Sequence, residues 1–206
     1  MRIAILGGTG AFGRALAARL RDLGAEVTIG SRDETRAREL AVVLGIEGAT
    51  NEAAVEGADL VVLSVPSSAA VATARDLAGA IGETPVLCVA SDLRFTENGV
   101  EPGRDSRSLA EEIAETLDGP VASGLQSISA TRLAAPGFPD EDAFVAGDEN
   151  QAKELALQLA GRLVAGRAID AGPLVNSRGL EAMTAVLLNV NRRYRTHAGL
   201  RVTGLP

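Results

Sequence analysis

Three glycines near the amino terminus have the spacing of a phosphate-binding loop. Gly8, Gly10 and Gly13 fit the pattern G-x-G-x-x-G between the apolar run Arg2–Leu6 and a helix-patterned stretch. Gly8 is expected to allow the tight turn, Gly10 to let the backbone approach a pyrophosphate, and Gly13 to let the helix pack on the strand. Free N–H groups and the helix dipole would then bind phosphate. The pattern predicts a dinucleotide site; a tight turn without a ligand is the alternative.

The residues after the second apolar run indicate which dinucleotide would bind. Val27–Gly30 predicts a strand, and Ser31 and Arg32 follow it where an NAD-binding fold usually has a carboxylate for the ribose 2′-hydroxyl. A hydroxyl and a guanidinium suit a 2′-phosphate instead, and Arg36 lies one helical turn further on. Asp33 is expected to cap that helix. The site therefore favours NADP over NAD, with ordinary solvated arginines as the alternative.

The strand and helix patterns that must position these residues alternate along the chain. Beyond the first helix, strands are predicted at Asp59–Pro66, Pro85–Ala90, Val121–Leu125, Phe144–Ala146 and Ala168–Asp170, and helices at Ser67–Gly82, Leu109–Leu117, Asn150–Leu163 and Asn176–Tyr194. Leu93–Arg107 is polar and predicts a loop. The order predicts an α/β fold, a Rossmann-type doubly wound parallel sheet with a small helical C-terminal appendage. We expect an NADP-binding domain over residues 1–120. Residues 121–206 would complete the sheet, the acceptor pocket and a dimer helix.

The composition excludes several classes of protein. Of the 206 residues, 46% are hydrophobic and only 2% aromatic, and the formal net charge is −7, so nucleic-acid binding is not expected. The single cysteine, Cys88, excludes an intramolecular disulfide. No apolar run reaches the roughly 18 residues of a membrane span, and no signal peptide precedes the first strand. We expect a cytoplasmic protein without a membrane partner.

Several sequence blocks together resemble a known family over nearly the whole chain. The blocks are the glycine loop with Thr9, Gly30–Arg32, Ser64–Pro66, Ala171–Leu174, Asn176–Arg178 and Leu187–Asn191. This set resembles the NADP-dependent reductases of the deazaflavin coenzyme F-420, which are Rossmann-fold dimers that move a hydride between NADP(H) and the deazaflavin. The resemblance implies that the adenosine and phosphate half of NADP is bound by Thr9, Gly10, Ala11, Phe12, Ser31, Arg32 and Arg36. It also implies that Ser67 and Val71 lie along the cofactor and Ala130 near the nicotinamide.

The same resemblance implies a deazaflavin pocket around Leu125–Ile128, with Gln126 and Ile128 as substrate residues. Some family members have a histidine where this chain has Gln126, and its only histidine is His197. Gln126 could equally satisfy backbone groups at a strand end. No nucleophile–base pair and no metal-ligand cluster is evident, so no catalytic side chain or metal is predicted, and hydride transfer would depend on positioning.

The segment 91–107 and the last 29 residues are unusually charged for this chain. The first carries Asp92, Arg94, Glu97, Glu101, Arg104, Asp105 and Arg107, and the second carries Arg178, Arg192, Arg193, Arg195 and Arg201, opposed only by Glu181. The arginines could attract the anionic tail of a deazaflavin or simply stabilise a helix end. Two alternatives therefore stay open: an NADPH-dependent reductase of another acceptor, such as an imine, ketone or metal, and a non-enzymatic NADP(H)-sensing protein.

The long helix predicted at Asn176–Tyr194 has an apolar face. Leu180, Met183, Val186, Leu187 and Val190 share it. Such a face is expected to pack on the sheet or on a second subunit, so a homodimer is predicted.

Overall fold

One mostly parallel sheet of eight strands organises the part of the chain that the computed structural model describes, residues 1–103 and 106–205. The strands are β1 Arg2–Leu6, β2 Glu26–Ser31, β3 Glu47–Thr50, β4 Leu60–Leu63, β5 Val86–Cys88, β8 Val121–Gly124, β9 Ala143–Gly147 and β10 Ala168–Asp170. Their spatial order is β10-β9-β8-β5-β4-β1-β2-β3. β1 lies between β2 and β4, so the chain reverses direction across the sheet beside β1, where doubly wound folds bind ligands. The predicted Rossmann-type fold is confirmed.

Helices cover both faces of this sheet. They are α1 Ala11–Asp22, α2 Glu34–Leu44, α3 Asn51–Val55, α4 Ser67–Asp76, α5 Ala78–Ile81, α6 Leu109–Ala114, α7 Ala130–Ala134, α8 Asn150–Gly161 and α9 Ser177–Tyr194, with a 3-10 turn at Leu174–Asn176. Ile3 and Ile5 of β1 face one core and Ala4 and Leu6 the other, because alternate strand residues point to opposite faces. Burial on both faces explains why the central strands β1, β4 and β5 are almost entirely aliphatic.

The antiparallel contact between β8 and β9 departs from the predicted parallel sheet. Gly124 of β8 pairs with Val145 of β9, whereas every other neighbouring pair in this sheet is parallel. The start of β9 therefore lies at the edge where β1–β5 and β8 end, and β10, which is parallel to β9, also starts there. β8, β9 and β10 extend the same sheet as β1–β5, and the domain division at residue 120 stays a prediction.

The prediction of a loop at Leu93–Arg107 was wrong for most of that segment. Strands β6 (Leu93–Thr96) and β7 (Gly99–Pro102) form an antiparallel hairpin, and Arg94 and Glu101 form a cross-strand ion pair of 2.7 Å. Glu97 and Asn98 form the tight turn, and Gly99 follows them with φ +144°, a conformation that favours glycine, so this glycine was the missed signal. The predicted charged residues Arg104 and Asp105 lie outside the described residues.

The helix predicted at Ser67–Gly82 is two helices, α4 and α5, that meet at Leu77. β3, α3 and α7 were not predicted; all three are only four or five residues long. Short elements carry too little periodicity to be recognised in a sequence.

The hairpin packs against α9 rather than projecting into solvent. Asn189 of α9 accepts a hydrogen bond from the Val100 N–H at 2.9 Å and donates one to the Val100 carbonyl at 2.7 Å. Glu181 of α9 accepts from the N–H of Leu109 at 2.8 Å.

On the predicted apolar face of α9, Leu180 and Leu187 are buried, whereas Val186 is 60% exposed. No helix in the described ranges has the length and hydropathy to cross a membrane.

The segment 198–202 packs back onto the start of β9. The Leu200 carbonyl accepts from the Asp142 N–H at 2.7 Å, and Asp142 accepts from the Val202 N–H and from Arg167, both at 2.8 Å. These hydrogen bonds hold the pKa of Asp142 well below its usual range, with Arg167 the largest cause. Glu141 beside it is only 1% exposed, and neither carboxylate oxygen accepts a hydrogen bond from the described residues. Arg132 lies 3.7 Å from its Oε1, yet burial raises the pKa of Glu141 to about 6.

Candidate functional site

The glycine loop joins β1 to α1 in a turn that only glycine fits. Gly7 has φ +80°, and a Cβ there would lie 2.7 Å from the Ser64 carbonyl oxygen. The left-handed conformation thus falls on Gly7, so the assignment of the tight turn to Gly8 was wrong. Gly8 instead packs against Ile29, whose Cβ would lie 2.6 Å from an added Cβ. At Gly13 an added Cβ would lie 2.7 Å from the Gly7 carbonyl oxygen, so this glycine lets the helix approach the loop, whereas its predicted role was to let the helix pack on the strand.

The amino end of α1 faces a cleft of about 780 Å³, which Thr9, Gly10 and Ala11 line. Gly10 is the N-cap, so no side chain caps the helix, and its first turn carries no acidic residue. The first N–H groups of a helix have no partner within it, and the dipole makes this end partly positive. The cleft can therefore bind an anion beside the loop.

Ser31, Arg32 and Arg36 line the same cleft at the end of β2. Asp33 caps α2 as predicted, because its Oδ1 accepts from the Arg36 N–H at 3.1 Å. The Ser31 hydroxyl accepts from the Asp33 N–H at 3.1 Å, which fixes this corner. Neither Arg32 nor Arg36 forms an ion pair with a described carboxylate, whereas Arg38 on the same helix pairs with Glu34 at 2.6 Å. Two guanidinium groups are thus available to one anion.

The opposite wall comes from the end of β4 and from α4, and a third contribution comes from α3. Ser64, Val65 and Pro66 line the cleft as expected for residues after a parallel strand. The residues that sequence analysis missed are Asn51, Ala69 and Thr73. Ala69 and Thr73 lie one and two turns into a helix whose start was predicted, so helical periodicity could have found them.

Four predicted cofactor residues are not among those that line this cleft. Phe12 and Ala130 pack against the core beneath α1, and Ser67 begins α4 next to Pro66. Val71 borders a separate shallow pocket of about 460 Å³. Their contacts with a cofactor stay predictions.

Gln126 lies at the end of β8 in a fixed orientation. Its side-chain Nε2 donates to the Ser123 hydroxyl at 2.7 Å and to the Cys88 carbonyl at 3.3 Å. The residue is 8% exposed, and its Oε1 has no partner among the described residues. The amide therefore both satisfies a backbone group, as the alternative interpretation held, and keeps one acceptor for a ligand.

The backbone around Gln126 is strained and clamped. Leu125 has φ +71°, a conformation that a leucine rarely adopts. The Thr184 hydroxyl of α9 donates to the Gln126 carbonyl at 3.0 Å and contacts the Ser91 hydroxyl at 3.0 Å. Ile128 is 3% exposed and belongs to the core, so its side chain offers almost no surface to a substrate. Its predicted substrate contact would have to come from the backbone.

Comparison with known proteins agrees with this arrangement. Residues 2–91 match the family described as NADP oxidoreductase coenzyme F420-dependent. The F420-dependent NADP reductase of Methanothermobacter thermautotrophicus is 36% identical over 228 aligned positions, which cover 100% of this chain and 96% of the relative. The F420-dependent NADP reductase of Methanocaldococcus jannaschii is 33% identical, and the alignment covers 100% of this chain and 99% of that relative. The chain belongs to the family of F420-dependent NADP reductases.

Solved structures support this membership. One of them is a protein from Arthrobacter sp. FB24 that is proposed to be an F420-dependent NADP reductase. It superposes on this chain with a TM-score of 0.87 and is 26% identical in sequence, and the match covers 98% of this chain and 99% of that protein. An imine reductase from Streptomyces aurantiacus has a TM-score of 0.66 at 24% identity and is covered to 62%, which shows a shared fold alone.

The one cysteine of the chain, Cys88, is buried beside the candidate acceptor site. Burial raises the pKa of the Cys88 thiol to about 12, so it stays protonated. Among residues 1–103 and 106–205, no three His, Cys, Asp or Glu side chains form a group that could hold a metal.

The arginines near the carboxyl terminus are less free than the sequence suggested. Arg178 pairs with Glu111 at 2.6 Å and lowers the pKa of that carboxyl to about 2, while Arg201 pairs with Asp140 at 2.8 Å. The carboxylates that pair with these two arginines come from outside the last 29 residues, in which Glu181 is the one acidic residue. Arg192 and Arg193 border a surface pocket of about 360 Å³ between α9 and the hairpin turn.

Proposed function

We propose that the protein transfers a hydride between NADP(H) and coenzyme F-420. The observation that carries this proposal is the pair Arg32 and Arg36, which face the glycine-loop cleft without a carboxylate partner in the described chain. Full-length relatives named F420-dependent NADP reductases support it. The cleft fits a dinucleotide because an uncapped helix start, two free guanidinium groups and Asn51, whose buried amide oxygen has no partner among the described residues, all line it.

The chain's own residues would act mainly by binding and orienting. The amino end of α1 and the backbone of Thr9, Gly10 and Ala11 bind the pyrophosphate, and Ser31, Arg32 and Arg36 bind the 2′-phosphate. When bound, NADPH supplies the hydride that the deazaflavin receives. The hydride would add to C5 of the deazaflavin while a proton from water enters at its N1, so no side chain has to supply one. Holding the two reactants in contact then accounts for most of the catalysis.

The acceptor would lie beyond the carboxyl end of β8. Gln126 Oε1 accepts a hydrogen bond from an N–H of the deazaflavin ring, and the Thr184 clamp holds Gln126 in place. Ala130, Ser67, Val71 and Phe12 belong to this proposal as residues that border the bound cofactor. Arg192 and Arg193 would attract the anionic tail of the coenzyme.

A homodimer is proposed to form through α9. Val186 is 60% exposed and Tyr194 is 70% exposed. With the half-buried Val190 between them they follow at intervals of four residues, so they form one exposed apolar stripe on the helix. Such a stripe is typical of a helix that packs against a second subunit. The cytoplasmic location and the absence of nucleic-acid partners stay predictions.

The function is tested under anaerobic conditions by mixing the protein with NADPH and oxidised coenzyme F-420 and following the deazaflavin absorbance. Rapid bleaching with NADPH and little with NADH is expected. Binding of NADPH without bleaching would refute the proposed acceptor and favour another acceptor or a sensor.

The selectivity is tested with Arg32→Glu. This change should weaken NADPH binding at least about a hundredfold, because a charge-assisted pair is lost and a repulsion is added, while NADH binding changes little. Arg38→Glu is the control, since Arg38 lies on the same helix but pairs with Glu34. Equal losses for NADPH and NADH would contradict the assignment of Arg32.

A further inference from the structure

Asn51, which the sequence did not single out, has an amide group without a structural task. It is the first residue of α3, yet the cap of that helix is Thr50, whose hydroxyl accepts from the Ala53 N–H at 3.2 Å. Asn51 is only 6% exposed, and its Oδ1 has no hydrogen-bond partner among the described residues. Buried polar atoms are nearly always paired, because an unpaired one costs its full desolvation penalty. An orphan in a ligand cleft indicates that the ligand completes it.

The backbone is shaped to admit this amide beside the 2′-phosphate corner. Thr50 is in register with Ser31, so Asn51 follows directly the residue that lies beside the end of β2. At Gly30, an added Cβ would lie 2.9 Å from Asn51 Oδ1, so a larger residue there would displace the amide. Ala69 and Thr73 of α4 line the same cleft. The amide thus lies in the cleft that Ser31, Arg32 and α4 also border.

The chemistry of an amide oxygen restricts its partner to a donor group. Phosphate oxygens at neutral pH only accept, so neither the pyrophosphate nor the 2′-phosphate can pair with it. The adenosine half of NADP(H) carries two kinds of donor, the ribose 3′-hydroxyl and the exocyclic amine of adenine. We propose that Asn51 binds the adenosine half of NADP(H) by accepting a hydrogen bond from one of these donors. This inference rests on the proposed function.

The test measures the binding of 2′,5′-ADP, which contains the adenosine half alone, by titration calorimetry. Asn51→Ala should raise its dissociation constant about tenfold, the loss expected for one hydrogen bond. The thermal unfolding temperature of the unliganded variant should not fall, because an unpaired buried acceptor is removed. Asn150→Ala is the matched control: Asn150 is also the first residue of its helix, α8, but is exposed and outside the cleft. It should change neither quantity.

The outcomes separate this inference from the proposed function. Wild-type protein that fails to bind 2′,5′-ADP would refute the NADP site as a whole. Equal binding by wild type and a folded Asn51→Ala variant would overturn the role of Asn51 alone, as would a lowered unfolding temperature with unchanged affinity. If Asn51→Ala does not fold, Asn51→Leu keeps the size of the side chain without an acceptor; it should bind 2′,5′-ADP about tenfold more weakly than wild type, and unchanged binding would overturn the inference.

The two possible donors are distinguished with deamino-NADPH, which lacks the adenine amine. If the amine is the partner, wild type binds this analogue more weakly than NADPH, and Asn51→Ala binds both equally. If the ribose hydroxyl is the partner, Asn51→Ala weakens the binding of NADPH and of deamino-NADPH by the same factor. A folded variant that weakens neither would refute both forms of the inference.

Discussion

Replacing Glu141 by glutamine should make the protein more stable at neutral and alkaline pH. Burial raises the pKa of this carboxyl from its ordinary value of 4.5 to about 6, and Arg132 and the backbone of Leu200 offset only part of that rise. A raised pKa means that the protonated form is favoured in the folded state. The stabilisation by protonation is therefore fully present below pH 4.5 and is lost as the pH rises through about 6.

The size of the effect follows from the difference between the two pKa values. One and a half pH units at about 1.4 kcal/mol each correspond to about 2 kcal/mol in the free energy of unfolding. The neutral amide of Glu141→Gln avoids this loss. The variant should exceed wild type by about 2 kcal/mol at pH 8 and by less than about 1 kcal/mol at pH 5.

Urea unfolding followed by circular dichroism at pH 5, 6, 7 and 8 measures this difference. The control is Asp140→Asn, which neutralises the neighbouring carboxylate; Asp140 is exposed and pairs with Arg201. Its difference from wild type should stay constant over this range. A difference between Glu141→Gln and wild type that does not change with pH would refute the reasoning, because the carboxyl would then titrate alike in both states.

Three further outcomes are expected. Gln126→Ala should lower turnover with coenzyme F-420 about tenfold and leave the dissociation constant of NADPH unchanged, because the amide is assigned to the acceptor; unchanged turnover, measured by deazaflavin bleaching, would remove it from that site. Thr184→Val should lower kcat about tenfold without changing the KM for NADPH, and Thr184→Ser should restore it; failure of the serine variant to restore kcat would contradict the hydroxyl clamp. Val186→Glu should reduce the mass measured by light scattering from a dimer to a monomer, whereas Val42→Glu, on the exposed side of α2, should not; a monomeric wild type would refute the dimer.

Local signals made half of the candidate site predictable. The glycine spacing, the strand before it, and Arg32 with Arg36 after the next strand all depend on residues close together in the sequence. The resemblance supplied the acceptor side, and Gln126 indeed lies buried at a strand end with one acceptor unpaired. In the glycine loop itself, the left-handed conformation falls on Gly7 rather than Gly8, since the motif fixes the spacing of the glycines but not which residue adopts that conformation.

What the sequence did not yield depends on contacts between distant segments. Asn51 enters the cleft only because β3 pairs in register with β2, a relation that no local pattern encodes. The Thr184 clamp joins residues 58 positions apart. The hairpin at Leu93–Pro102 was not predicted because its strands are rich in charged residues. A two-stranded hairpin that packs on a helix needs little alternation of apolar and polar residues.

The reversed direction of β9 has a practical consequence for attaching the protein to a surface or a label. Because β9 runs against its neighbour β8, residues 198–202, which bind at its start, lie at the edge of the sheet where the strands leading to the cleft also end. Met1, before β1, lies at the far edge. Immobilisation through the amino terminus therefore keeps the cofactor cleft accessible, whereas a bulky group at residues 198–202 would lie on the same side as the arriving nucleotide.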